Sequence, residues 1–490
     1  MKLKIETLAL IVFNLIVLGL IVSVGINTVS LAQINPDGSY YLSYSENMFK
    51  GYRPYTDMGL DYMPFVIYIF FFFKMIFNGI QYEHYLTIQI LSYFLSGFLI
   101  YLIVLHFTLR NKIVSITAGF LFIGSIFTFD GIYIILEPYL IVFALLTVLL
   151  LIKANEKNNS LLFLFAGFFS ICCFFCKQYG VLIYPAVAIY FLWQYYSKVI
   201  KLKNMFTFFM GIVTASILFL AFLFLIHRVE PSGFFYSIFK PQYVDSYPNL
   251  SINAFISFFR YSVFYVFPII MLFPFIFIEK NSKHFPQVLL VIVAAASFFS
   301  VMIVRQYPHY FQLSLPFLII SIFILLEKTK EIMPFFKLIR LYHLAFLLMI
   351  FSMFITIVRL KQLNEYLIGN YSIKQTQLSN ALTINKYIPA RTLTTNLSAT
   401  LSFSYLCELI PPDFKQSGFN FYLRNEQAIP NKTFEQIDQR IKPNILNSEF
   451  VLTDTISETS FPGVNVFLIQ QQFNKIVTTN SGLSIWKKKY

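Results

Sequence analysis

Mostly apolar runs separated by short polar connectors fill the first three quarters of the chain. They fall at roughly 8–32, 86–108, 113–129, 132–152, 161–178, 180–197, 206–227, 254–278, 286–304, 310–327 and 341–359. Each approaches the about 20 apolar residues that a helix needs to cross a hydrocarbon core. The pattern predicts an all-α polytopic membrane region of about 11 transmembrane helices. A further apolar segment, 64–78, is short and interrupted by Lys74. It reads as a helix lying at the membrane interface. Residues 8–32 are long enough to span and read as an uncleaved anchor.

Composition supports this. Of 490 residues 57% are hydrophobic and only 12% charged, far less charge than a soluble domain carries. The net charge of +14 raises the question of nucleic acid, and the position of the bases answers it. Alternate connectors carry Lys2 and Lys4; Arg110 and Lys112; Lys153 and Lys157; Lys198, Lys201 and Lys203; Lys280 and Lys283; Lys328, Lys330, Lys337 and Arg340. The short connectors between them are poor in Lys and Arg. Basic loops stay on the cytoplasmic side, so the N-terminus is expected to be cytoplasmic. The stretch 33–85, the loop 228–253 and the tail are expected to be extracytoplasmic. The partners implied are a lipid bilayer and no nucleic acid. The four cysteines suggest no disulfide framework: Cys172, Cys173 and Cys176 share one apolar segment and Cys407 stands alone in the tail.

The tail changes character to polar, rich in Asn, Thr and Gln. We expect a division into a membrane domain, 1–360, and a small extracytoplasmic α/β domain, 361–490. "TLTTNLSA" then "TLSFSYLCEL" reads as strand then helix, and "FEQIDQRI" then "SEFVLTDT" as helix then strand. "VNVFLIQQQFNKIVTTNSGLSIWKKK" ends like a hairpin.

Ionisable groups at membrane depth are costly and tend to be functional. Here they recur at the expected outward ends of the spans. Asp37 follows the first span, Asp130 and Glu137 flank the start of the fourth, and Lys177 and Gln178 end the fifth. Arg305, His309 and Tyr310 stand between the ninth and tenth, and Arg228 and Arg260 border the loop 228–253. Every one has an ordinary role open to it. Asp37 suits a helix cap or turn, Glu137 a helix start, and Lys177 and Arg305 snorkelling anchors. Asp57 and Asp61 suit solvated positions. Taken together, the set describes one polar cavity opening outward. A carboxylate can take a proton from an acceptor while cations hold a departing phosphate. That chemistry fits transfer of a sugar from a lipid-phosphate donor outside the cytoplasm. Carboxylates with a histidine leave room for a divalent metal, although no tight ligand spacing demands one and no metal ligands are assigned.

At these residues the chain resembles the GT-C superfamily of polyprenyl-phosphate-sugar glycosyltransferases. The nearer likeness is to family 39, that of the protein O-mannosyltransferases and lipid A aminoarabinose transferases. "DGSYYLSYSENMFKGYRPYTDMGLDYMPFVIYIFFFFKMIF" is similar to that family's first outer loop. "LEPYLIVFALLTVLLLIKA" is similar to its fourth span, "CCFFCKQYGVLIYPA" to its Lys-containing turn, and "RQYPHYFQLSLPFLII" to the start of a late span. The likeness runs over roughly 1–360 in order and spacing. It implies a catalytic base at Asp37, which here precedes Gly38 where several relatives have Asp-Glu. It further implies Glu137 as a second catalytic residue that lines the cavity and orients the acceptor or binds a metal, Lys177 and Arg305 facing the donor phosphate, and His309 and Tyr310 shaping the sugar pocket. Tyr40, Tyr41, Asp57, Asp61 and Gln178 complete the expected substrate-binding set. The implied partners are a polyprenyl-phosphate-sugar donor and a glycan, lipid or protein acceptor, in a bacterial inner membrane. Two other classes compete: a multispanning lipid or polysaccharide transporter, which needs charge at mid-span, and an O-antigen polymerase or ligase, which places its large loop between late spans.

Overall fold

A computed structural model describes residues 5–57, 60, 62–77, 80–108, 111–239, 252–273, 285–304, 308–336, 339–389, 392, 394–397, 445–454 and 463–489. In chain order the helices are α1 (Ile5–Leu31), α2 (Pro36–Phe49), α3 (Phe65–Ile76), α4 (Tyr82–Phe107), α5 (Lys112–Ile126), α6 (Glu137–Lys157), α7 (Ser160–Cys176), α8 (Ile183–Tyr196), α9 (Leu202–Ala221), α10 (Pro231–Phe239), α11 (Ile252–Leu272), α12 (Phe285–Val304), α13 (Pro308–Phe336), α14 (Ile339–Gly369) and α15 (Tyr371–Tyr387). Strands β1 (Thr394–Asn396), β2 (Phe450–Thr453), β3 (Phe473–Thr478) and β4 (Ser484–Lys488) follow, with a helix Val464–Gln470 between β2 and β3. The chain forms two compact units: one of Met1–Ser30, Glu83–Ala221 and Tyr247–Leu367, the other of Leu31–Tyr82, Phe222–Ser246 and Ile368–Tyr490.

The first unit is helical. Over their described residues, all eleven apolar runs read from the sequence fall on helices: α1, α4 to α9 and α11 to α14. Among the described residues, eight helical segments are long and apolar enough to cross a membrane. The runs at 161–178 and 180–197 are shorter, at 17 and 14 residues, because the chain turns sharply after Cys176. Of α11, the stretch Ser262–Leu272 counts as a short apolar helix. Burial ranks the spans. The apolar window of α13 is 94% buried, against 28% in α1 and 22% in α9, so α13 is the centre of the unit and the other two lie at its rim. The crossing of α7 and α9 is close because glycines face each other there. A Cβ on Gly167 would stand 1.9 Å from the Phe208 carbonyl oxygen, and one on Gly211 would stand 2.0 Å from that of Leu164. Small residues let backbones approach in this way where lipid offers no hydrophobic drive between helices.

The second unit carries the sheet. Strand order is β1-β2-β4-β3, with β1 and β2 parallel and the other neighbours antiparallel. The expected terminal hairpin is β3–β4, and the strands expected within 392–399 and 448–455 appear, over their described residues, as β1 and β2. The helices expected at 400–409 and 434–441 lie outside the described residues. β2 is buried along its whole length, and successive side chains on a strand point to opposite faces. Val451 packs on one face with Leu397, Val464, Leu468, Phe473 and Trp486. Phe450 and Leu452 pack on the other with Ala381, Ile384, Ile388, Leu483 and Ile485. The sheet is thus covered by α15 on one side and by Val464–Gln470 on the other. The segment expected to lie at the interface contains α3, which opens after Pro64 and packs on α2.

Candidate active site

In the first unit, five of the residues singled out from the sequence come together: Asp130, Glu137, Lys177, His309 and Tyr310. Glu137 is the first residue of α6, followed by Pro138, which is preorganised for the first helical turn. The turn leading to it is held by α4. Gln89 Nε2 donates to the Tyr133 carbonyl at 2.5 Å and to the Tyr93 hydroxyl at 2.7 Å, and Gln89 Oε1 accepts from the Ile135 N–H at 2.9 Å. Tyr93 in turn donates to the Gly131 carbonyl at 3.1 Å. Lys177 comes from the other side, at the C-terminus of α7, in extended backbone. The chain then folds back so tightly that a Cβ on Gly180 would stand 2.1 Å from the Cys173 carbonyl carbon. Glycine is what allows Lys177 to be presented at this turn.

Lys177 Nζ reaches Glu137 Oε1 at 2.5 Å, with the two side chains 5% and 1% exposed. The ammonium also lies 4.7 Å from the centre of the Tyr310 ring and 5.7 Å from that of Tyr179, and these two rings meet edge-on at 5.3 Å. His309 packs on Tyr310 at 4.3 Å. Its Nδ1 lies 3.3 Å from Asp130 Oδ2, in a more open setting. Asp130 has φ of 64°, a left-handed conformation that aspartate tolerates better than most residues. Gln312 of α13 donates to the neighbouring Phe129 carbonyl, and the Arg359 guanidinium lies 5.8 Å from the Phe129 ring. A buried charge pair therefore stands beside a half-exposed acid–imidazole pair. The first can hold charge without water, and the second presents a carboxylate and an imidazole side by side. Gln178 opens the short helical turn after Lys177 and is half-buried.

In the second unit, Asp37 sits in the first turn of α2 behind Asn35 and Pro36. A carboxylate is favoured there by the exposed amides of the helix start. It is half-buried. Tyr40, Tyr41 and Tyr44, shortly after it in sequence, form an edge-to-face group with Tyr62, the Tyr40–Tyr44 rings 4.7 Å apart and the Tyr41–Tyr62 rings 5.6 Å apart. The Tyr44 hydroxyl donates to that of Tyr40 at 2.9 Å. Glu46 ties α2 to α3 through Lys74, the residue that interrupts the apolar run. Asp57 is bound by Arg53, whose Nε and Nη2 each donate to a carboxylate oxygen at 2.9 Å. Asp61 and Arg305 lie outside the described residues. No three His, Cys, Asp or Glu side chains gather as a metal site among the described residues.

Gln89, Tyr93, Gln312 and Arg359 were not singled out from the sequence. Two carried a readable signal: Gln89 and Gln312 are fully buried amides inside membrane-length apolar helices, a costly placement unless hydrogen-bonded.

No family profile and no curated protein matches the chain. Solved structures do. ArnT from Cupriavidus metallidurans in the apo state matches with a TM-score of 0.64 at 11% identity, covering 96% of this chain and 97% of ArnT. The chain has the ArnT fold. ArnT bound to undecaprenyl phosphate gives a TM-score of 0.62 with the same identity and coverage. At 11% identity the likeness to ArnT is one of backbone path and element order, and no residue's role follows from it.

Proposed function

We propose that the chain is a GT-C-type membrane glycosyltransferase that moves a sugar from a polyprenyl-phosphate donor to an acceptor on the extracytoplasmic face. The observation that carries this is the buried Glu137–Lys177 pair with His309 and Asp130 beside it, in a chain with the fold of ArnT, which has been solved with undecaprenyl phosphate bound. On this reading 1–360 is the transmembrane catalytic domain and 361–490 an extracytoplasmic α/β domain.

Asp37 takes the proton of the acceptor hydroxyl or amine as that atom bonds to the anomeric carbon. The bond from that carbon to the phosphate oxygen breaks on the opposite face, so the configuration inverts. Polyprenyl phosphate leaves with the bonding electron pair. Lys177, with Arg305, steadies the phosphate charge as it develops. Glu137 holds Lys177 and lines the acceptor side, while His309 and Tyr310 shape the sugar pocket with Gln178. Tyr40, Tyr41, Asp57 and Asp61 form the lip through which donor and acceptor pass.

The test is transfer from a panel of radiolabelled polyprenyl-phosphate sugars by the chain in lipid nanodiscs, with envelope extract as acceptor. Wild type is compared with Asp37→Asn. The reading requires transfer from at least one donor and its loss in the variant with donor binding kept. Folded wild type that transfers from none would turn the assignment toward transport or polymerisation.

A further inference from the structure

The C-terminal segment touches the chain just ahead of the proposed base. Gln377, in the second turn of α15, makes two hydrogen bonds to one backbone residue 343 positions away. Its Oε1 accepts from the Ile34 N–H at 3.1 Å, and its Nε2 donates to the Ile34 carbonyl at 3.2 Å. One side-chain amide thus satisfies both backbone polar groups of a buried residue, as a neighbouring strand would.

The next residue is held as firmly. The Tyr82 hydroxyl donates to Asn35 Oδ1 at 2.8 Å, and the Asn35 N–H lies 3.4 Å from the same hydroxyl. The Asn35 carbonyl accepts from the Ser39 N–H at 3.0 Å and the Ser39 hydroxyl at 2.8 Å. Pro36 then fixes φ by its ring, and Asp37 follows directly. Gln377 is itself fixed, because Ala381, Ile384 and Ile388 beyond it pack on Phe450, Leu452 and Ile485 of the sheet. Asn380 also accepts from the Ser481 hydroxyl of the β3–β4 turn at 2.9 Å.

We propose that Gln377 is a positioning residue: through Ile34 it sets the backbone that carries Asp37, and so makes the C-terminal domain part of the transfer machinery. This rests on the reading of Asp37 as the base. The domain could instead recruit the acceptor or merely add stability, and neither role calls for a two-bond clamp three residues from a catalytic carboxylate. Misplacing a reacting group by about 1 Å can cost on the order of a hundredfold in rate, and loss of the Gln377 amide removes both bonds to Ile34.

The test uses the full chain in nanodiscs with Gln377→Ala, with Gln377→Met, which keeps length and bulk but neither bond, and with Leu382→Ala as a control at a 73% exposed position of the same helix. Both Gln377 variants should lose about 10- to 100-fold in kcat, with donor KM held within about twofold. Amide hydrogen exchange over 33–41 should quicken by about tenfold as the clamp opens. The control should keep wild-type values. Folded Gln377→Met with wild-type kcat would overturn the proposal, because packing rather than the two bonds would then suffice. Unchanged exchange over 33–41 would overturn it too. If wild type transfers from no donor, the functional reading fails, while the exchange measurement still decides whether Gln377 anchors this backbone.

Discussion

The two units place their carboxylates by different means. In the first, Glu137 is paired with Lys177 and almost fully buried, so the position of each charge is decided by the other. In the second, Asp37 is half-buried at a helix start, and its position is decided by the backbone ahead of it. A buried pair is fixed by electrostatics: either member alone is a large penalty. A carboxylate at a clamped helix start is fixed by geometry and stays accessible. A group that must accept a proton from an arriving acceptor is better served by the second arrangement, and a cation that must stay charged in a dry site by the first.

The comparison can be broken at its strongest point by Asp37→Asn. If Asp37 is the base, transfer falls by about 10²- to 10⁴-fold in a variant that still folds and binds donor. Glu137→Gln should behave the other way. It removes the carboxylate that faces the Lys177 ammonium in a buried site and should cost about 3–5 kcal/mol of stability, read from denaturant or thermal unfolding in detergent. The double variant Glu137→Gln/Lys177→Met should recover much of that loss without recovering activity. A stable single variant would mean that water reaches the pair.

A smaller effect is expected where the first unit depends on close packing alone. Gly211→Ala puts a methyl group 2.0 Å from a backbone carbonyl oxygen, and overpacking of this kind costs about 1–3 kcal/mol. Loss of melting temperature without change in donor KM would place the α7–α9 crossing outside the site.

The smallest effect concerns acid. His227 lies just past the segment Leu202–Ile226, against the rings of Tyr68, Phe222 and Phe71 at 4.8, 4.7 and 5.7 Å. Burial holds its pKa below the ordinary value, so folding favours the neutral ring. Its contribution is complete above about pH 6.5 and is lost as pH falls through the lower folded value. Melting temperature should therefore drop on acidification from neutral pH by more in wild type than in His227→Gln. Equal drops would show that the aromatic box does not discriminate the charged ring.

Much of the molecule was determined by sequence alone, because the governing interactions are local. Apolar run length dictates helices in lipid, which is why every expected span, over its described residues, falls on a helix. Pro64 marks the start of α3 and Pro138 the start of α6. The hairpin β3–β4 follows from alternating strands about a Ser-Gly turn. The polar candidates were also legible, since charge is rare in such runs and therefore conspicuous.

Tertiary structure alone decided which of these groups meet. Nothing near Glu137 or Lys177 states that they pair across 40 residues, or that Asp130 takes His309 rather than Glu137. Uncharged amides escaped notice because a Gln in an apolar run gives a weaker signal than a Lys, although Gln89 and Gln312 shape the site. Gln377 is the extreme case: a polar residue in a polar tail, ordinary in its own surroundings, whose partner is a backbone peptide with no side-chain signature. Local physics writes the elements into the sequence, whereas a contact between a side chain and a peptide 343 residues away exists only once the fold has closed.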